Sequence, residues 1–205
     1  MLTTSMMSRG SATLAVLLLA ACGRKDEATT DSAGASASAM PTPAATAAAP
    51  ATAAALNDAQ VAHIALTANT IDSTAGALAK QKGTAKAVKD FGETMVNDHA
   101  GVNRQAVALA TKLNVKPEDN DVSRELARGG EQNMSTLQGL SGVAFDSAYI
   151  AHEVDYHQSV LDALDRTLIP GTQNAELKAL LTKVRPGFVA HLERAKSVRA
   201  GLRAR

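Results

Sequence analysis

Three of the five histidines in this 205-residue chain are placed to act together. At about 100° of turn per helical residue, His99 falls in the apolar stripe between Met95 and Val102. His157 falls between Val154 and Leu161, and His191 between Phe188 and Ala195. His63 and His152 turn away from their stripes and read as solvated. Carboxylates flank the inward set: Asp98 precedes His99, Glu153 lies one turn before His157, and Asp72 edges the stripe of an earlier segment. Helical bundles build metal sites from inward imidazoles and carboxylates, and such donors suit iron, zinc, copper or manganese. The candidate metal ligands are therefore His99, His157, His191, Asp98, Glu153 and Asp72, and the candidate cofactor is a transition metal. The same residues also describe a polar core network without a ligand, in which each histidine donates to a carboxylate or a freed carbonyl. Tyr149 and Tyr156 lie beside the seam and read as packing groups. No nucleophile motif accompanies the histidines, so Ser–His–Asp catalysis is not indicated.

The elements that must position these groups are helical. Hydrophobic residues make up 45% of the chain but aromatics only 2%, which disfavours a β-sandwich. Ala and Leu supply the apolar content and favour helix. Asn57 or Asp58 caps a first helix reaching about Lys80, with Val61, Ile64, Ala68, Ile71, Ala75 and Leu78 at helical spacing. Gly83 marks a turn, and Thr84 caps a second helix that runs to about Leu113. Its stripe continues past His99 through Val102, Ala106, Leu109 and Leu113. A connection containing Pro117 follows. A third helical region starts near Val122 and is interrupted near Ser141-Gly142. Pro170-Gly171 ends it, and a fourth helix begins near Thr172, with a kink expected at Pro186. The fold class is all-α, an antiparallel four-helix bundle with a broken third helix and a Pro-kinked fourth.

Depth along such a bundle can be counted at ~1.5 Å per residue. With the third region taken as one segment, His99 and His191 lie roughly 22–29 Å below one end, and His157 and Asp72 roughly 12–17 Å. This places His99 with His191 on one level and His157 with Asp72 on another. A single three-histidine site then needs a register shift of about 6–12 Å.

The remaining sequence reads as an address and a tether. Arg9 precedes a short apolar run that ends Leu19-Ala20-Ala21-Cys22, the layout of a secretory signal. That run is too short for the ~30 Å core of a bilayer. Its last four residues resemble a bacterial lipobox, which implies cleavage before Cys22 and lipidation of that residue. Gly23, in place of an Asp, favours the outer membrane, facing the periplasm. Residues 1–21 are thus expected to be a signal peptide. Residues 22–56, rich in Ala, Thr, Ser and Pro, are expected to be a tether unable to bury enough surface to fold. Residues 57–205 form the helical domain. The expected partner is a membrane, reached through the lipid on Cys22. A formal net charge of +1 gives no field that would argue for nucleic acid. One cysteine excludes an internal disulfide or a multi-cysteine zinc site.

Residues 57–205 also resemble the bacterial family known as domain of unknown function 4142. The resemblance rests on Leu78-Ala79, Val88-Lys89-Asp90-Phe91, Met95-Val96-Asn97-Asp98-His99, Phe145-Asp146-Ser147-Ala148-Tyr149-Ile150, His157, and Pro186 followed by His191-Leu192. It implies a ferritin-like bundle outside the cytoplasm and no established reaction. Where family members often carry Glu in the first helix, this chain has Asp72. The Glu-x-x-His pairs of ferritin-like di-iron proteins do not occur, so iron storage and oxidase chemistry do not transfer. Two functions follow as expectations. One is an envelope lipoprotein that binds a metal through inward histidines. The other is a structural or protein-interaction module with a polar core and no ligand. Neither assigns an enzymatic activity.

Overall fold

The structure, a computed structural model, describes residues 55–204. The expected signal peptide, nearly all of the tether, and Cys22 lie outside the described residues. Within them the chain is helical, without strands: α1 (Asp58–Lys82), α2 (Lys86–Lys112), α3 (Asp121–Gly139), α4 (Gly142–Ala163), a π-helical turn (Leu164–Leu168), the single turn α5 (Ile169–Gly171) and α6 (Ala175–Arg203). No described helix is long and apolar enough to cross a membrane.

Caps set most of these boundaries. Asn57 accepts from Gln60 N, and the Gln60 side chain accepts in return from Asn57 N, a reciprocal capping box. Asn120 does the same with Ser123 at α3, and Asn174 accepts from Glu176 N and Leu177 N at α6. The last helix, expected to start near Thr172, thus begins at Ala175. The second helix starts differently from its expectation as well. Thr84 is not its cap; Ala85 is, and it has no side chain to offer. Asp146 of α4 supplies the missing acceptor. Its carboxylate takes hydrogen bonds from Thr84 N (2.9 Å), Thr84 Oγ1 (2.6 Å) and Ala85 N (2.8 Å). The buried Asp146 of the Phe-Asp-x-x-Tyr motif is thus a helix cap delivered across the fold. Asp146→Ala is expected to lose about 3 kcal/mol through the orphaned donors. That is a fall of about 6–12 °C in melting temperature by circular dichroism; an unchanged Tm would contradict this role.

The interrupted third segment is two helices, not one bent helix. Leu140 is extended, and Gly142 opens α4 at φ +61°, a backbone region that suits glycine. The direction of each helix follows from its end contacts. Asp58 accepts from Gln173 N and Asn174 N, so α1 and α6 start at the same end of the bundle. Glu118 N donates to Ala59 O beside the start of α3, and Lys82 donates to Leu137 O and Gln138 O at its finish. Consequently α3 climbs alongside α1, and α4 descends. The most extensive packing is of α1 with α2, then α4 with α6 and α1 with α3; α2 with α6 and α1 with α4 close the bundle with smaller contacts. Pro186 lies within α6, which continues through it.

The apolar core runs from Val61, Ile64, Leu164 and Leu181 to Ala75, Ala79, Val88, Phe91, Met95, Phe145 and Tyr149 near the α1–α2 turn. There α1 and α2 touch backbone to backbone. A Cβ on Gly92 would stand 2.6 Å from Gly76 O, and one on Gly76 would stand 2.8 Å from Gly92 O. Toward the opposite end, the expected stripe residues Val102, Ala106, Leu109 and Leu113 are only half-buried.

Candidate metal centre

Counting depth with the observed directions gives one level in place of two. From the α1–α2 turn end, Asp72 lies about 15 Å down, His191 about 18 Å, His99 about 20 Å and His157 about 22 Å. The expected two-level arrangement fails because α3 is a complete crossing of its own. His157 is therefore counted from the start of a descending helix, not from the end of an ascending one.

The three imidazoles meet. Ring centroids are 5.9 Å apart for His99–His157, 5.2 Å for His99–His191 and 5.4 Å for His157–His191. One ligand atom from each of the three lies within 4.8 Å of the others, and a second such group joins Asp72, Glu153 and His157. His157 belongs to both. Asp72, Glu153, His99 and His157 are no more than 2% exposed, and His191 is 8% exposed.

Each ring is held by one nitrogen and free at the other. Asn69 Nδ2 donates to Ala65 O (2.7 Å), which leaves Asn69 Oδ1 to accept from His99 Nδ1 (2.6 Å). His157 Nδ1 donates to the backbone carbonyl of Glu153 (2.9 Å), and His191 Nε2 donates to Asp98 Oδ2 (2.9 Å). These acceptors fix the tautomers. The opposite nitrogens, His99 Nε2, His157 Nε2 and His191 Nδ1, are buried without a hydrogen-bond partner, as are both Asp72 oxygens and Glu153 Oε2. Asp72 Oδ2 stands 3.0 Å from His99 Nε2 and 3.3 Å from His157 Nε2, yet neither pair is aligned for a hydrogen bond. Neighbouring donors around an ion with bonds of ~2.0–2.2 Å stand about 2.9–3.5 Å apart, so both separations have the length of a coordination edge.

The protonation states suit ligands. Burial pushes His157 down to about 4, so its imidazole is neutral near pH 7. Burial also lowers His191, against the pull of Asp98. Burial raises the Asp72 carboxyl, but His99 and His157 outweigh it and leave Asp72 below the usual carboxylate range. Glu153 goes the other way: burial and the nearby Asp72 charge hold it well above that range, so it keeps its proton. The cluster therefore presents neutral imidazoles at His157 and His191 and a committed carboxylate at Asp72, with Glu153 holding a proton.

The structure places the remaining sequence candidates outside the inner cluster. Asp98 belongs to neither group, and its carboxylate orients His191. His63 is half-buried and 3.9 Å from Asp119. His152 is not fully solvated as expected: it is half-buried, its ring is stacked 5.5 Å from Tyr156, and burial lowers it. Tyr149 packs between Phe91 and Phe145, and Tyr156 donates to Ala68 O (2.9 Å). Sequence reasoning missed Asn69, whose signal was a polar residue one turn before Asp72 on the buried face of α1. The shorter Asp72 reaches the histidines because the Gly76–Gly92 contact one turn away brings α1 and α2 unusually close.

The sequence model of a family described as Domain of unknown function (DUF4142) matches residues 42–198. No curated protein and no solved structure matches the chain.

Proposed function

The chain belongs to the DUF4142 family of unknown function, and we propose that its bundle is a binding module for one transition-metal ion, held by His99, His157, His191 and Asp72. The observation that carries this reading is the orphaned inner shell: three imidazole nitrogens and two carboxylate oxygens, buried, convergent and without partners. Buried polar groups are normally satisfied, and a ligand-free polar network would spend these atoms on one another. Instead each ring spends its outer N–H on Asn69, the Glu153 carbonyl or Asp98, the arrangement that orients metal-binding histidines. Three nitrogens and one or two oxygens suit iron, zinc, copper or manganese. Bound there, the ion would act as an electrophilic or redox centre. The protein's own part is to fix the tautomers, keep the cluster in an apolar surround, and hold a proton on Glu153.

Metal analysis of the purified full chain, with calorimetric titration by each of the four metals, tests this. One equivalent per chain and a raised melting temperature are expected for at least one metal. No stoichiometric metal and no thermal shift with any of them would refute it. The module is further proposed to sit at the bacterial outer membrane through a lipid on Cys22, on the strength of the Leu19-Ala20-Ala21-Cys22 resemblance. Labelled fatty acid should enter the chain in cells and fail to enter Cys22→Ala; equal labelling of both would remove the anchor.

A further inference from the structure

Below the histidine level the bundle is hollow. A cavity of about 290 Å³ lies among α1, α2, α4, the π-helical turn and α6, lined mainly by Ala, Val, Leu and Ile. Asn69 and Phe188 form its inner end, and Leu56, Leu113 and Asn174 line it toward the other end of the bundle. The stripe residues Val102, Ala106, Leu109, Val160 and Val184 are half-buried and line this space. The space is partly open at the surface, where the exposed Val122 lines it, and its apolar walls offer ordered water few partners. Its lining spans Asp58 to Asn69 on α1 and Val102 to Ala110 on α2, about 12–17 Å of helix, with Leu56 and Leu113 just beyond. This is an apolar space elongated along the helices, the shape that a chain many methylenes long can fill. Most of its polar lining groups are committed elsewhere: Asn69 to His99 and Ala65, Tyr156 to Ala68, Ser159 to Asp155, and Asp58 and Asn174 to the start of α6, while Thr167 is exposed.

We infer that this cavity binds a single unbranched hydrocarbon chain, with any polar head left outside the slot. Such binding goes beyond the metal centre and is independent of it, since none of the four proposed metal ligands lines the cavity. Phe188, which forms part of the inner end, also packs edge-on against His99 at 5.2 Å, so a bound chain would end against the wall behind the histidines.

The test is calorimetric titration of the full chain with a series of primary alcohols from octanol to hexadecanol. Saturable one-to-one binding is expected, tightening about fourfold per added methylene and levelling off once the chain outgrows the slot. A monoacyl phosphatidylcholine of matched chain length forms a second arm. Equal affinity would make lipid chains occupants as well, and weaker affinity would restrict the site to free chains; both support the slot. Ala106→Phe and Ala163→Phe, made singly, fill the cavity from different helices. Each should weaken dodecanol binding at least tenfold and leave metal loading unchanged. No saturable binding, no levelling with length, or full affinity in a folded filled variant would overturn the inference. The length series remains decisive even if both variants fail to fold.

Discussion

Replacing His157 with alanine is expected to abolish stoichiometric metal loading. His157 belongs to both the three-histidine group and the group with Asp72 and Glu153, so its loss breaks each. His99→Ala and His191→Ala each break only the first. Changes to residues that merely orient ligands cost about 10–100-fold in affinity. Loss of the shared ligand should therefore weaken binding by more than about 100-fold, while Asp98→Asn, which alters only the acceptor for His191 Nε2, should fall within that range. Chelator competition measures the ordering directly. His157→Ala loading one equivalent at unchanged affinity would exclude the site. The melting temperature of the metal-free variant separates loss of ligand from loss of fold.

Gly92→Ala should destabilise the domain and weaken metal binding together. Alanine is intrinsically about 1 kcal/mol better than glycine in a helix, so a simple propensity argument predicts stabilisation. Here the added Cβ would stand 2.6 Å from the Gly76 carbonyl oxygen and 3.0 Å from Ala79 Cβ and Lys80 N. Those atoms are mostly backbone, so the helices themselves must separate. Overpacking of this kind costs about 3 kcal/mol, leaving a net loss of about 2 kcal/mol and a Tm lower by about 4–8 °C. Moving α1 from α2 also draws the short Asp72 side chain away from His99, one turn further along the same contact. Gly101→Ala is the matched control, since its Cβ would meet only the flexible Arg104 side chain at 3.8 Å. Equal effects from the two substitutions would show that the close approach does not govern the site.

The inward faces of His99, His157 and His191 were legible because helical periodicity is a local property: each sits between apolar residues of its own helix. The depth of each histidine was not legible. It depends on helix direction, and that direction turned on whether Ser141-Gly142 bends one helix or separates two. A glycine at positive φ permits either reading in the sequence. Asp146 shows the same limit from another side. Its place in a motif was visible, but its role in capping α2 exists only because α4 packs across the Thr84–Ala85 turn.

By itself the sequence determined the helical class, the start of the first helix at Asn57, the inward set of histidines, and the family. These follow from propensity, capping and period, which act over a few residues. Only the tertiary structure decided that the histidines form one cluster with Asp72, that Asn69 and Asp98 serve as their anchors, and that the lower stripes line a cavity. Those outcomes depend on helix direction, on the close contact at Gly76 and Gly92, and on whether facing stripes meet. Each is set by packing between residues distant in sequence, which no local pattern encodes.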